Sequence, residues 1–155
     1  MDRLWAPWRI KYVPQKKKTC IFCQTIKSRQ DKNNFILERQ THCFSILNIF
    51  PYNNGHIMVS PNRHIGSLEK LNDKEILDLL RLVNKTKKAL DKCLKPDGYN
   101  IGLNIGRAAG AGFPGHVHIH IVPRWNGDTN FMPVVGNAKV ISQSLKELYQ
   151  RLRQC

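Results

Sequence analysis

The segment His116-Val117-His118-Ile119-His120-Ile121-Val122 constrains the fold of this chain more than any other stretch. Polar and apolar residues alternate with a period of two, the pattern of a strand with one face packed into a core. On such a strand the three imidazoles line one face, and Val117, Ile119 and Ile121 point into the core on the other. At about 3.3 Å per residue, the α-carbons of His116 and His120 stand roughly 13 Å apart. Three rings so spaced do not converge on one metal ion that binds nitrogen at about 2.1 Å. The three must divide their labour, and a central histidine flanked by two helpers suits a nucleophile better than a three-histidine zinc site.

A second alternating run, residues 99–105, precedes the first. Paired as a hairpin, it sets Asn100, Gly102 and Asn104 on the polar face beside the histidines. The connection between the runs, residues 106–115, holds four glycines and little side-chain bulk, which lets backbone N–H groups approach an anion closely. Upstream, short strand patterns at 35–39, 42–49 and 56–60 are separated by the turn Pro51-Tyr52-Asn53-Asn54-Gly55. Asn72 and Glu75 form a capping pair, and Ile76, Leu79, Leu80, Val83, Leu90 and Leu94 recur at helical spacing, so one long helix covers 73–95. Pro123 stops the histidine strand, and residues 137–153 read as a terminal helix. Residues 1–34 read as an extension, mostly loop with one turn of helix. The expected class is α+β: an antiparallel sheet packed with one long helix and a C-terminal helix, in a single domain over 1–155.

Charge narrows the function less than its size suggests. Lys and Arg number 25 against 11 Asp and Glu, a net +14. From Pro96 to Ala138, however, the charges are only Asp97, Arg107, Arg124 and Asp128, which cancel. Basic clusters such as Lys16–Lys18 and Lys85–Lys88 motivate a competing reading as a basic nucleic-acid-binding protein, but with no recognised reading motif they imply non-specific attraction at most. No apolar run approaches the roughly 20 residues of a membrane span, and the N-terminus lacks the apolar core of an export signal. Five cysteines, an odd number without such a signal, argue against a disulfide framework. The expectation is a soluble cytoplasmic protein.

His116–Val122 resembles the signature of the histidine-triad (HIT) family, in which three histidines alternate with apolar residues. Cys20-Ile21-Phe22-Cys23, Asn48, Pro51-Tyr52-Asn53-Asn54-Gly55-His56 and Gly102-Leu103-Asn104 follow in family order. Trp5-Ala6-Pro7-Trp8-Arg9 and Pro123-Arg124-Trp125-Asn126-Gly127-Asp128 are similar to the branch of diadenosine tetraphosphate phosphorylases. The resemblance implies that His118 attacks the α-phosphate of a nucleotide and forms a covalent nucleotidyl-histidine, which an acceptor then discharges. It implies that His120 contacts the phosphate oxygens, with His56 and Asn104 completing the catalytic group. Asn48 falls where the family binds ribose hydroxyls. Phe22 and Ile49 fall where it lines the purine pocket, although plain core packing explains Phe22, Ile46 and Ile49 equally well. Where many members carry Gln or Ser and a neighbouring hydroxyl, this chain has Gly112 and Phe113, so backbone N–H groups must serve the nucleotide there. Inorganic phosphate or water could be the acceptor, and nucleoside phosphoramidase or hydrolase activity is the competing reading. The family also implies a homodimer with a sheet continued across a two-fold axis.

Cys20 and Cys23 have the Cys-x-x-Cys spacing that lets two thiolates bind one tetrahedral ion. A redox pair and two ordinary thiols are the other readings, and the preceding lysines form no strand of the kind a redox motif follows. The resemblance supplies His64 as a third ligand and His116 as the fourth, which makes zinc a structural cofactor and leaves His118 and His120 to the phosphate.

Overall fold

The computed structural model describes residues 19–136 and 140–155. The resemblance at Trp5–Arg9 and the basic run Lys16–Lys18 lie outside them. Two helices, α1 (Ile21–Ser28) and α2 (Asp31–Asn34), lead into strands β1 (Ile36–Arg39), β2 (Cys43–Leu47) and β3 (Ile57–Pro61). The long helix α3 (Asp73–Leu94) follows, then β4 (Gly98–Leu103), β5 (Ile119–Arg124), the short α4 (Met132–Val135) and α5 (Leu145–Gln154). The strands form one antiparallel sheet in the order β1-β2-β3-β5-β4, as the α+β expectation requires.

The parity of the strands sorts two packing layers. Cys43, Leu47, Ile57, Val59, Ile119 and Ile121 share one face and pack under α3 and α5 with Leu79, Leu82, Leu90 and Leu148. Phe44, Ile46 and Met58 point the other way and pack with Phe22 of α1. Each fully buried side chain of this size contributes about 1.5–3 kcal/mol. The expected N-terminal loop is thus corrected to two helices, because Ile21, Phe22 and Ile26 have an apolar sheet face to cover.

Helix α3 begins where expected: Asn72 accepts from the Glu75 N–H and Glu75 reaches back to the Asn72 N–H. It ends at Lys95, which is left-handed (φ 48°), just before Pro96. Its buried stripe runs through Leu79, Leu82, Val83, Thr86 and Leu90. Ile76 and Leu80, expected on that stripe, are instead 41% and 53% exposed, beside exposed Leu77. Of the lysine face, Lys85 pairs with Glu38 and Lys87 with Asp91, so part of its charge is compensated.

Strand boundaries also differ, and β4 ends at Leu103 rather than 105. β2 stops at Leu47 because Asn48 turns the chain, its Oδ1 accepting from the Phe50 N–H. β5 begins only at Ile119, and Pro123 does not end it. Beyond Ile121, among the described residues, β5 has β4 as its one ladder neighbour, so the missing N–H of Pro123 breaks no second ladder there. The terminal helix starts at Leu145, with Ser144 and Glu147 as a capping box; its expected start at Asn137 lies outside the described residues. Against the expectation from cysteine count, Cys93 and Cys155 are joined by a disulfide, since α5 packs on α3 and brings the two helix ends together.

Candidate active site

Turn residues place the first histidine. Gly55 adopts φ +77°, and a Cβ there would lie 2.8 Å from Leu94 and 2.9 Å from Pro123, so only glycine fits. The next residue, His56, is buried. Its Nδ1 accepts the Tyr52 N–H at 3.0 Å and also faces the Asn48 amide at 3.3 Å. An imidazole that accepts at Nδ1 carries its proton on Nε2, which lies 2.9 Å from Nδ1 of His120. His120 therefore accepts at Nδ1 and keeps its own proton on Nε2. The chain of tautomers runs from a backbone N–H, through two rings, to the buried Nε2 of His120.

His116 and His118 lie in the segment before β5 rather than in its ladder. The Val117 N–H donates to the Ile65 carbonyl, and Ser60 Oγ donates to the Val117 carbonyl, which holds the segment in place. His118 Nδ1 donates to the His116 carbonyl at 2.8 Å, leaving the Nε2 lone pair available. Burial holds the pKa of His118 below the ordinary 6.5, only partly offset by that bond, so the ring is neutral at pH 7. Phe22 backs the ring with centroids 4.9 Å apart, and the His120 ring meets it edge-on at 4.8 Å.

His116 turns away from its neighbours. Its Nδ1 is 3.3 Å from Cys20 Sγ and 3.7 Å from Cys23 Sγ, while Nδ1 of His64 is 3.3 Å from Cys23 Sγ. The four donor atoms all lie within 4.8 Å of one another. A tetrahedral zinc site with metal–sulfur bonds of about 2.3 Å and metal–nitrogen bonds of about 2.1 Å has ligand separations of roughly 3.4–3.8 Å, so this donor set fits such an ion. Nε2 of His116 donates to the Pro61 carbonyl at 2.9 Å, the outer bond that fixes a ligating tautomer. Burial lowers the pKa of His116, which keeps it in the neutral form a metal needs.

The remaining sequence candidates distribute as follows. Asn104 stands one residue past the β4 ladder, beyond the Gly102–His120 pair. Phe22 is 2% exposed and serves as core beneath the histidines, whereas Ile49 is 53% exposed. Asn48 is buried and aimed at His56. Gly112 is exposed, and Phe113 packs partly against the Phe22 cluster. Tyr52 escaped the sequence reading. Its N–H sets the His56 tautomer, and its ring lies 4.6 Å from His56 and 5.7 Å from His120. Its place four residues before His56, in a turn, was the available signal.

Residues 29–127 match the family model described as HIT domain. The chain is 35% identical over 156 residues to an AP-4-A phosphorylase of Mycobacterium tuberculosis, covering 95% of this chain and 80% of that protein. It is 36% identical over 108 residues to an adenosine 5'-monophosphoramidase of Schizosaccharomyces pombe, covering 70% of this chain and 76% of the relative. Among solved structures, a zinc-bound histidine triad family protein from Mycobacterium smegmatis superposes with a TM-score of 0.71 at 25% identity, covering 88% of this chain and 92% of its own.

Proposed function

The chain belongs to the HIT domain family, whose members process nucleotides, and on that premise we propose that it is a diadenosine tetraphosphate phosphorylase acting through His118. The observation that carries this reading is the 2.8 Å bond from His118 Nδ1 to the His116 carbonyl, which frees Nε2 on a neutral ring. Nε2 attacks the α-phosphorus; a phosphorus–nitrogen bond forms, the bond to the bridging oxygen breaks, and ATP departs. His120, with a proton on Nε2 set by His56, donates a hydrogen bond to the phosphate oxygens as charge develops. Asn104 and the backbone N–H groups around Gly112 and Phe113 hold the phosphates, and Asn48 and exposed Ile49 flank the first nucleoside, with Phe22 backing the His118 ring from the core. An oxygen of inorganic phosphate then attacks the adenylyl group, the phosphorus–nitrogen bond breaks, and ADP leaves a restored His118.

Product analysis with diadenosine tetraphosphate tests it. ADP and ATP in equal amounts, formed only when inorganic phosphate is present, are the expected result. AMP and ATP without phosphate would make the enzyme a hydrolase. Failure to cleave the dinucleotide, with release of AMP from adenosine 5'-monophosphoramidate, would make it a phosphoramidase.

The same proposal includes one zinc ion per chain on Cys20, Cys23, His64 and His116. With four protein ligands the ion leaves no open position, and what it supplies is a cross-link between α1 and the segment preceding β5. It also includes a homodimer. Strand β4 is a sheet edge, and beside it Ile101 is 47% exposed and Ile105 54%, with Ile76, Leu77 and Leu80 of α3 adding apolar surface. Sedimentation at micromolar concentration is expected to give twice the 17.9 kDa chain mass, and a monomer mass would exclude the dimer.

A further inference from the structure

Beyond the histidines the same face of the sheet continues into a cavity of about 270 Å³. Along β5, Val122 and Arg124 follow His120 at intervals of two, so all three side chains share one face, and Asn100 lies opposite Val122 on β4. At about 3.3 Å per residue, Val122 sits roughly 7 Å beyond His120. Tyr52 joins the two places, since its ring lies against His56 and His120 and also lines the cavity. A ligand reacting at His118 can therefore extend past His120 into this space.

The wall chemistry selects what enters. Arg124 is the cation lining the cavity, and Asp128 compensates it: Nε donates to Asp128 at 2.6 Å and a terminal nitrogen at 2.9 Å. The other terminal nitrogen donates to Asn100 Oδ1 at 2.7 Å. Asn53 is oriented by bonds to Asp128 and to the Pro123 carbonyl. An anion would meet a guanidinium already matched by a carboxylate. The cavity instead presents amides, the Thr129 hydroxyl and one aromatic ring, which suit a neutral, planar group with hydrogen-bonding edges. Its volume sits just below the range of about 300–1,000 Å³ typical of small-molecule pockets, enough for one base-and-sugar unit but not a dinucleotide.

We propose that this cavity is a leaving-group subsite, which receives the distal nucleoside of a dinucleoside polyphosphate whose α-phosphate lies at His118. The proposal rests on the substrate class assigned under Proposed function. It gives the site two nucleoside-binding ends, with the reacting phosphate between them.

The test compares two ligands that differ only at the far end: diadenosine tetraphosphate and adenosine 5'-tetraphosphate. Binding is measured on His118→Ala protein, which does not consume them, with and without Thr129→Val or the cavity-filling Asn100→Phe. The distal nucleoside is expected to tighten binding at least ten-fold, and each cavity variant to remove most of that advantage with little change for adenosine 5'-tetraphosphate. Thermal unfolding of each variant shows that the fold is kept. Equal affinity for the two ligands, or an advantage that survives both variants, would overturn the proposal. So would equal losses for both ligands, which mark a structural role, or selective competition by inorganic phosphate that the variants relieve, which marks an anion site. Failure of the substrate reading looks different: in the turnover assay AMP would appear from adenosine 5'-monophosphoramidate and nothing from the dinucleotide, whereas the binding comparison still reads the cavity.

Discussion

Replacing Glu75 by Gln isolates a buried charge whose contribution follows from its contacts. The carboxylate is 5% exposed and accepts from Arg63 Nε at 2.9 Å, Arg63 Nη2 at 2.8 Å and the Asn72 N–H at 3.0 Å. The Arg63 hydrogen bonds, ahead of the Asn72 N–H, hold its pKa at about 2, well below the ordinary 4.5. At about 1.4 kcal/mol per tenfold change in proton affinity, the ceiling on its contribution is about 3.4 kcal/mol. Water reaches half-exposed Arg63 and screens the pair, so about 2 kcal/mol is expected. For a chain of this size that lowers Tm by about 4–8 °C. Glutamine keeps the shape but turns amide protons toward the guanidinium. Because the folded-state pKa is depressed, the stabilisation is complete above about pH 4.5 and disappears as the pH falls toward 2. Urea unfolding of both proteins at pH 7 and near pH 2.5 measures the difference, which should be clear at the first and largely closed at the second. A gap of the same size at both pH values, or none at pH 7, would refute the charge-based account.

His118→Ala is expected to cut kcat by several orders of magnitude while the protein stays folded; retention of more than a tenth of wild-type kcat would exclude a nucleophilic role. Protein purified without chelator should carry one zinc per chain, and Cys20→Ser should lose it and unfold at lower temperature, as measured by metal analysis and calorimetry. The disulfide Cys93–Cys155 spans 62 residues, so Cys93→Ser should cost up to about 4 kcal/mol under oxidising conditions and little in excess reductant, read by chemical denaturation in each.

The elements most legible in the sequence were those whose signals are local. The capping pair Asn72–Glu75 needs only helical geometry, and the period of two in 116–122 needs only a strand with one buried face. What escaped depends on partners far along the chain. His116 and His118 sit outside the ladder because the Val117 N–H reaches the Ile65 carbonyl, a bond that no local pattern announces. Helix α1 escaped because its apolar side is satisfied by Phe44, Ile46 and Met58, partners on distant strands. Ile76 and Leu80 fit the helical period yet face outward, since periodicity marks an apolar stripe without saying whether this chain covers it. Tyr52 matters through its backbone N–H, which any residue but proline would offer, so composition carried no hint of its part in the relay.

The alternation along β5 separates two kinds of tolerance with a spacing of one residue. Ile119 and Ile121 belong to the core under α3, while His120, Val122 and Arg124 share the opposite face, the one the proposed function gives to the ligand. A single inserted residue at the start of the glycine-rich connection 106–115, away from Gly112 and Phe113, lengthens a loop and leaves the strand's parity intact. The same insertion between His118 and His120 would carry every following side chain to the opposite face, burying charge where the core was and presenting isoleucine where the relay was. Stability and chemistry are thus interleaved in one strand, and a frame error there would cost both at once.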